Sequence, residues 1–249
     1  MKIFLTLLLF VTFSTLHAKE VEVAFSRTTP PFVLVGGGGI SYDIIKESLA
    51  YKNHSVKPVY VNIARGVEMF RNGAVDANSL LQDDGSVEGF YSDFFITYQN
   101  CVFTLKNSKV EIKNIEDIKN YHTIGFQNAT EYLGSDFGKV AKSADAKYSE
   151  LADQKKQVLM LFKNRTQAIV MDRQIFRYYR AMLESEGQIK DDKEVVENCL
   201  FEPSRYQVIF KDKEIRDDFN EGLKIIRKSG KYDKIIERYE TLMFSEKHK

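Results

Sequence analysis

Residues 56–77 read VKPVYVNIARGVEMFRNGAVDA, and this stretch holds two apolar runs on either side of an amphipathic segment. Val56–Val61 is rich in β-branched residues and predicts a strand. Arg65–Phe70 predicts a helix, which Asn72-Gly73 closes. Val75-Asp76-Ala77 is interpreted as the start of the next strand. A strand, a helix and a strand in this order are typical of an α/β domain with a largely parallel sheet.

The same alternation extends from this stretch in both directions. Toward the N-terminus, Val21–Phe25 alternates like a strand, and the prolines of Thr29-Pro30-Pro31-Phe32 stop it because they remove backbone donors. Ile44, Ile45 and Leu49 lie at helical spacing and predict the first helix. Toward the C-terminus, strands are predicted at 101–105, 122–126, 168–171 and 206–210, and helices at 128–137, 155–162, 174–183 and, broken at 229–230, 215–243. We therefore expect two α/β lobes with short connections.

Charge and composition exclude some classes of function. The 249 residues include 36 Lys and Arg against 35 Asp and Glu, which gives a formal net charge of +1. Nucleic-acid binders need a clear basic excess to neutralise phosphates, so no nucleic-acid partner is expected. Hydrophobic residues make up 43% and charged residues 29%, as in ordinary globular proteins. The length fits one large domain or two of about 100 to 130 residues, and two are expected.

The N-terminal segment has the order of a secretory signal peptide. Lys2 precedes an apolar run from Ile3 to Phe13, and small and polar residues follow up to Ala18. The run is shorter than the roughly 20 residues that cross a bilayer. We expect cleavage after Ala18, with an uncleaved anchor as the alternative.

Two cysteines, Cys101 and Cys199, remain in the exported chain, where disulfides persist. The sequence leaves open whether they are bridged, because it does not fix the Cα separation of roughly 4.4 to 6.8 Å that a bridge requires. Their spacing with His54, His122 and His248 matches no zinc pattern. No metal and no cofactor are therefore expected.

Several short motifs occur in a recognisable order, at Thr29–Phe32, Gly39–Ile44, Phe70–Ala77, Tyr91–Phe95, Ile115–Ile118, Ile124–Gln127 and Ser229–Ile235. The first four resemble an aromatic-Pro-Pro-Phe loop, a Gly-Phe-Asp helix entry, a helix-Gly-x-x-Asp turn and a Phe-Ser-x-Pro-Tyr segment. The others resemble a Leu-x-Asp-Leu and Val-Gly-x-Gln pair and an Asp-Gly-Thr-Tyr-x-Lys-Ile stretch. Together they resemble the bacterial family 3 extracellular solute-binding proteins, the amino-acid-binding type that feeds ABC importers, over nearly the whole mature chain.

This resemblance implies an α/β, type II periplasmic-binding-protein-like architecture of two lobes. Each lobe would be a sheet flanked by helices, with residues 19–97 plus 204–249 in lobe 1 and 98–203 in lobe 2. Two crossover strands would form the hinge, near Thr97-Tyr98 and Pro203-Ser204. The lobes would close on a solute by hinge bending. A periplasmic monomer is expected.

The resemblance also implies where ligand contacts lie, at Thr29, Phe32, Asn78, Ser79, Asn128, Thr130 and Asp172. The exposed N–H groups of the helix start at Asn128 to Thr130 can bind an anion such as a ligand carboxylate. Their alternative role is ordinary helix capping. Asp172 ends a buried strand, at the edge where α/β sheets place ligands. The family uses this acid for a ligand ammonium, and a salt bridge to Arg173 or another base is the alternative.

One segment departs from the family pattern. Relatives carry a Thr-x-x-Arg element whose Arg clamps the ligand carboxylate through a bidentate pair. Here Leu81–Gly89 reads LQDDGSVEG, which is shorter and has no Arg. Arg65, at the start of the second helix, and Arg27 are candidate substitutes, although an Arg at a helix start is commonly a solvated side chain. Gln154, which opens the helix at 155–162, is a further candidate contact.

The expected function is capture of a small polar solute, an amino acid or related zwitterion or carboxylate, for an ABC permease. A sensory protein that signals to a membrane receptor is the alternative. A dehydratase-like enzyme on the same fold is a weaker one, because no Cys-His pair, Ser-His-Asp order or metal set supports catalysis. We therefore expect no enzyme activity.

Overall fold

The computed structural model describes residues 18–27, 29–190 and 192–245, so the signal-peptide prediction falls almost entirely outside the described residues. Within them, two mixed sheets are each flanked by helices, as the resemblance implied. None of the helices in these ranges combines the length and the apolar composition needed to cross a bilayer.

The first sheet has the strand order β2-β1-β3-β11-β4, with β5 paired to β11. Its strands are β1 (Glu20–Ser26), β2 (Ser55–Val61), β3 (Ala77–Leu81), β4 (Phe90–Tyr91), β5 (Ile96–Tyr98) and β11 (Ser204–Phe210). The predicted strand-helix-strand order is present, because α1 (Ile40–Ala50) and α2 (Ile63–Arg71) connect the parallel strands β1, β2 and β3. Strand β11 runs antiparallel to β3, β4 and β5.

The second sheet has the order β10-β6-β9-β7-β8. Its strands are β6 (Asn100–Leu105), β7 (Thr123–Phe126), β8 (Tyr148–Leu151), β9 (Ala168–Asp172) and β10 (Val195–Asn198). Strand β7 is parallel to β8 and β9, whereas β6 is antiparallel to β9 and β10. The remaining α-helices are α3 (Ala129–Tyr132), α4 (Ser135–Ala141), α5 (Gln154–Phe162), α6 (Arg173–Ser185), α7 (Lys213–Lys228) and α8 (Lys231–Ser245).

The chain passes between the two sheets at two neighbouring places. Strand β5 ends at Tyr98 in the first sheet, and β6 begins at Asn100 in the second. The return occurs before Ser204, which is paired with Tyr98 across β5 and β11. The two passages therefore lie side by side, and we call this pair of passages the crossing.

Buried apolar residues give each sheet its own core. In the first, α1 and α7 pack together and bury Ile45, Leu49 and Phe219 against β1. In the second, β9 is buried along its whole length because helices and strands cover both faces. Burial of such side chains is the main stabilising contribution to either half.

Three expectations about the elements were wrong. Strand β3 begins at Ala77 instead of Val75, because a turn precedes it, in which the N–H groups of Gly73 and Ala74 donate to the carbonyls of Phe70 and Met69 at 3.0 and 2.8 Å. The helix expected at 128–137 is two short helices, α3 and α4, separated at Gly134, whose φ of 91° ends the first. A largely parallel sheet was expected, but both sheets are mixed, because antiparallel strands lie beside each parallel set.

The two cysteines are joined by a disulfide. Cys101 lies on β6 and Cys199 directly follows β10, and these strands are paired with Asn198 opposite Val102, so the cysteines are cross-strand neighbours. Their Cα atoms are 4.1 Å apart. Glu197 completes a group of three metal-type ligands with the two sulfur atoms. Because both sulfurs are used in the disulfide, the group offers no thiolate to a metal.

Candidate functional site

An aromatic stack lines the crossing on the side of the first sheet. The Phe32 ring stacks on Tyr98 with 3.8 Å between centroids, and Tyr98 meets Tyr206 edge-on at 5.1 Å. Thr29 and Phe32, from the loop after β1, are both buried. Burial raises the pKa of the Tyr98 hydroxyl well above its ordinary range, so this group stays a neutral phenol. The predicted Thr29 and Phe32 therefore contribute a closed, largely apolar wall.

Asp172 is the last residue of β9 and caps helix α6. Its Oδ1 accepts the N–H groups of Gln174 at 2.8 Å and Ile175 at 3.2 Å, and its Oδ2 accepts the N–H of Gln99 at 2.8 Å. Only 2% of the residue is exposed. Burial raises the pKa of Asp172 to about 7, although the three N–H donors oppose this rise. Arg173 does not pair with Asp172, because its Nε donates to Glu197 Oε1 at 2.6 Å.

Gln99 ties this carboxylate to both passages of the crossing. Its backbone N–H reaches Asp172, while its side-chain Nε2 donates to the carbonyls of Phe201 at 2.9 Å and Asn100 at 3.1 Å. The charge state of Asp172 is thus linked directly to the backbone where the two sheets meet.

A second group of polar contacts lies after β7, where the sequence predicts an anion site. Asn128 has a left-handed φ of 63° and precedes the four-residue helix α3. Its N–H donates to Glu150 Oε2 at 2.6 Å, and the N–H of Thr130 donates to Glu150 Oε1 at 2.9 Å. The predicted N–H groups therefore bind a carboxylate, and that carboxylate belongs to the chain itself.

The other predicted contacts lie on the first sheet and its helices, except Gln154. Asn78 is buried on β3, where its Oδ1 accepts the N–H of Leu80 at 3.2 Å, and Ser79 beside it is also buried. Arg65 forms an ion pair of 2.7 Å with Glu68, and 56% of its side chain is exposed.

Asn78 also packs against helix α2. A Cβ atom added to Gly66 would lie 2.8 Å from the Asn78 Nδ2. Gln154 opens α5 on the other sheet and is partly exposed, and Arg27 is exposed.

The predicted residues thus fall into two contact groups and several separate positions. Thr29 and Phe32 are linked with Asp172 through Tyr98 and Gln99. Asn128 and Thr130 form the second group with Glu150. Sequence patterns did not identify Tyr98, Gln99, Tyr206 or Glu150 as site residues. Glu150 was missed because β8 is short and polar, although its place beside parallel β7 puts its C-terminal end at the same sheet edge.

A cavity of about 540 Å³ lies on the outer face of the crossing, lined by Ser92, Asp93, Phe94, Ile96, Thr97, Arg205, Gln207 and Arg227. Thr97 and Arg205 are exposed while their neighbours Tyr98 and Tyr206 point to the opposite face, as the alternation of a strand requires. The residues lining this cavity include none of the predicted ligand contacts.

Solved structures with the same fold are numerous and distant in sequence. The ligand-binding core of GluR0 in complex with L-glutamate has a TM-score of 0.70 and 16% identity, covering 88% of this chain and 97% of that one. A histidine kinase sensor domain similar to periplasmic binding proteins has a TM-score of 0.68 and 15% identity, covering 88% and 95%.

The amino acid ABC transporter substrate-binding protein AbpA from Streptococcus pneumoniae, bound to L-arginine, has a TM-score of 0.66 and 16% identity, covering 92% of this chain and 97% of its own. At these identities the likeness establishes the type II periplasmic binding fold. No match was found among curated proteins.

A family-level match gives the stronger statement. The sequence pattern described as bacterial extracellular solute-binding proteins, family 3, matches residues 21–241. The match spans both sheets, the crossing and both contact groups. The chain belongs to the bacterial extracellular solute-binding proteins of family 3.

Proposed function

We propose that this protein captures a small polar solute between two lobes, residues 19–97 plus 204–249 and residues 98–203. Amino acids and related zwitterions or carboxylates are the first class to test. The lobes close around the solute by bending at the crossing, and the protein works as a periplasmic monomer.

The hydrogen bond between Asp172 Oδ2 and the Gln99 N–H is the observation that carries this proposal. It joins an acid at the carboxyl end of a buried strand, where α/β proteins bind ligands, to the backbone of the crossing. A cation that binds Asp172 changes the charge at this point and therefore favours one arrangement of the two sheets. A ligand shifts such an equilibrium only by its differential affinity for the two states.

Export after cleavage at Ala18 is supported by the anchoring of the next residue. The Lys19 N–H donates to His54 Nδ1 at 3.1 Å, and the Lys19 Nζ pairs with Asp76 at 3.0 Å. The Lys19 carbonyl accepts the N–H of Ser55 at 3.0 Å, whereas Ala18 is exposed. Lys19 is thus fixed to the fold by its backbone and side chain, as expected for the first residue of a mature protein.

The partner is proposed to be an ABC permease, and a membrane receptor is the alternative. AbpA, an amino acid ABC transporter substrate-binding protein, supports the first, and the histidine kinase sensor domain supports the second. Catalysis is not proposed, because Asp172 is the one buried acid of the two contact groups, and a single acid does not make a catalytic set.

A thermal-shift screen of the mature chain against amino acids, carboxylates, amines and short peptides tests the proposal. A solute at 100 times its Kd stabilises the protein by roughly 2.7 kcal/mol. Calorimetry then compares the wild type with Asp172→Asn, which should bind the solute at least about a hundredfold more weakly, because it leaves a buried ligand cation unpaired. Unchanged melting with every solute would contradict the proposed function, and unchanged affinity in Asp172→Asn would remove that residue from the site.

A further inference from the structure

The turn that ends β7 already holds an anion. Two of its backbone N–H groups, at Asn128 and Thr130, point at the two oxygens of the Glu150 carboxylate, at 2.6 and 2.9 Å. Hydrogen bonds to an ionised acceptor are among the stronger ones in proteins. A solute carboxylate could use these N–H groups only by displacing Glu150.

Glu150 is held in this position by its strand. It lies on β8 opposite Gly125 of the parallel strand β7, which leads directly into the turn. Tyr148, two residues earlier, points to the same face, and its hydroxyl lies 3.3 Å from Glu150 Oε1. The Tyr148 hydroxyl also covers Gly125 so closely that an added Cβ would lie 2.0 Å from it. The side chain is therefore a positioned carboxylate, even though the residue is exposed.

The charges around the sheet edge favour a cation. Glu150 and Asp172 end β8 and β9, the two strands that flank β7. Strand spacing and rise separate their Cα atoms by about 12 Å, so two acidic residues lie near each other at one edge of the sheet. Arg65, the predicted partner for a solute carboxylate, is already paired with Glu68.

We infer that Glu150 determines solute specificity by occupying the position of a solute carboxylate, and that the cleft selects organic cations that lack a carboxylate, namely amines and guanidines. This inference rests on the proposed function, since it concerns the ligand class of the same cleft. The ligand class inferred here differs from the amino acids named under the proposed function. A free amino acid must displace Glu150 to place its carboxylate, whereas the decarboxylated amine need not.

Matched pairs of probes test the inference by calorimetry: arginine with agmatine, lysine with cadaverine and histidine with histamine. The wild type should bind the amine of at least one pair at least tenfold more tightly than the parent amino acid. Glu150→Ala frees both N–H groups and should shift this ratio at least tenfold toward the amino acid. Glu131→Ala, which removes another exposed carboxylate, from α3, should leave the ratio unchanged.

The contact itself is tested without a ligand. In the wild type, the amide protons of Asn128 and Thr130 should show protection against exchange with solvent, and in Glu150→Ala this protection should disappear. Its absence from the wild type would overturn the inference whether or not Glu150→Ala folds.

Two binding results have different meanings. If no pair shows the amine bound at least tenfold more tightly by the wild type, or if Glu150→Ala does not change the ratio, the inference is overturned and the proposed function stands. Failure of all six probes and of the wider solute screen to bind any of the three proteins overturns the proposed function, and the inference with it.

Discussion

Asp172 combines a buried carboxyl group with three backbone N–H donors, and these act on its protonation in opposite directions. Loss of water disfavours the ionised form, whereas the N–H groups of Gln99, Gln174 and Ile175 favour it. Burial is the larger effect and raises the pKa of Asp172 to about 7. The proposed cationic solute would bind the ionised form, so it would compete with the proton for this group.

We expect binding of a cationic solute to weaken by about tenfold for each pH unit below about 7, because the proton on Asp172 must first be lost. Agmatine is a suitable probe, since its own charge does not change between pH 5 and 8. Calorimetry across this range provides the measurement. Asp172→Asn should bind weakly at every pH, and a wild-type affinity independent of pH would contradict the assignment.

The same pKa predicts the pH dependence of stability. The carboxyl group keeps its proton in the native state up to about pH 7 but loses it near pH 3.9 in the unfolded chain. Between these values the native state binds more protons, so the free energy of unfolding falls as the pH rises, by up to about 1.4 kcal/mol per pH unit. Denaturant unfolding at pH 4 and pH 8 should show Asp172→Asn gaining stability relative to the wild type at the higher pH. A constant difference between the two proteins would argue against a raised pKa.

Helices α1 and α7 approach each other at one glycine. An added Cβ at Gly222 would lie 1.9 Å from the carbonyl oxygen of Ser48, which is a backbone atom and cannot rotate away. Both residues are buried in the core of the first sheet. The short distance between these two helices therefore depends on the absence of a side chain at Gly222.

Gly222→Ala should lower the free energy of unfolding by about 1 to 3 kcal/mol, the usual cost of overpacking a core. The sign of the change in unfolding free energy is informative, because Gly→Ala inside a helix otherwise stabilises the protein by up to about 1 kcal/mol. Denaturant unfolding is the measurement, and Lys224→Ala on the exposed side of α7 is the matched control. Stabilisation by Gly222→Ala would show that the helices can separate without cost.

Periodicity in the sequence was sufficient for the long, buried elements. The β-branched run in β2 and the run that forms β9 predicted these strands to within one residue of the observed bounds. The apolar spacing of Ile44, Ile45 and Leu49 correctly predicted a helix, although α1 begins earlier, at Ile40. Periodicity did not predict β8 and β10. These strands are four residues long and only partly buried, so they carry no alternating apolar pattern.

The same limit applies to the candidate site. Asp172 was predicted because it ends a continuous apolar run, and its position at the end of buried β9 agrees with that reasoning. Glu150 ends no such run, and its contact with Asn128 joins residues 22 positions apart, a separation that only the pairing of β7 with β8 determines. Whether either carboxyl group binds solute stays a prediction.

The disulfide joins two distant parts of the chain beside the crossing. Cys101 follows the first passage directly, and Cys199 precedes the return. The sequence separation of 98 residues means that the covalent link closes a loop containing nearly all of the second sheet and its helices. A link over such a long loop restricts the unfolded chain strongly, and in the chain-entropy model it is worth about 4 to 5 kcal/mol.

Replacing both cysteines, as Cys101→Ser with Cys199→Ser, should therefore lower the free energy of unfolding by about 2 to 5 kcal/mol. Solute affinity should change little, because Asp172 is held by backbone N–H groups of α6 and Gln99, none of which belongs to a cysteine. Guanidinium unfolding and calorimetry on the same samples separate the two effects. Thiol titration of the denatured, unreduced wild type is the control, since two free thiols would show that the bridge is absent. A large loss of affinity with unchanged stability would instead mean that the disulfide acts on the crossing, and that closure depends on it.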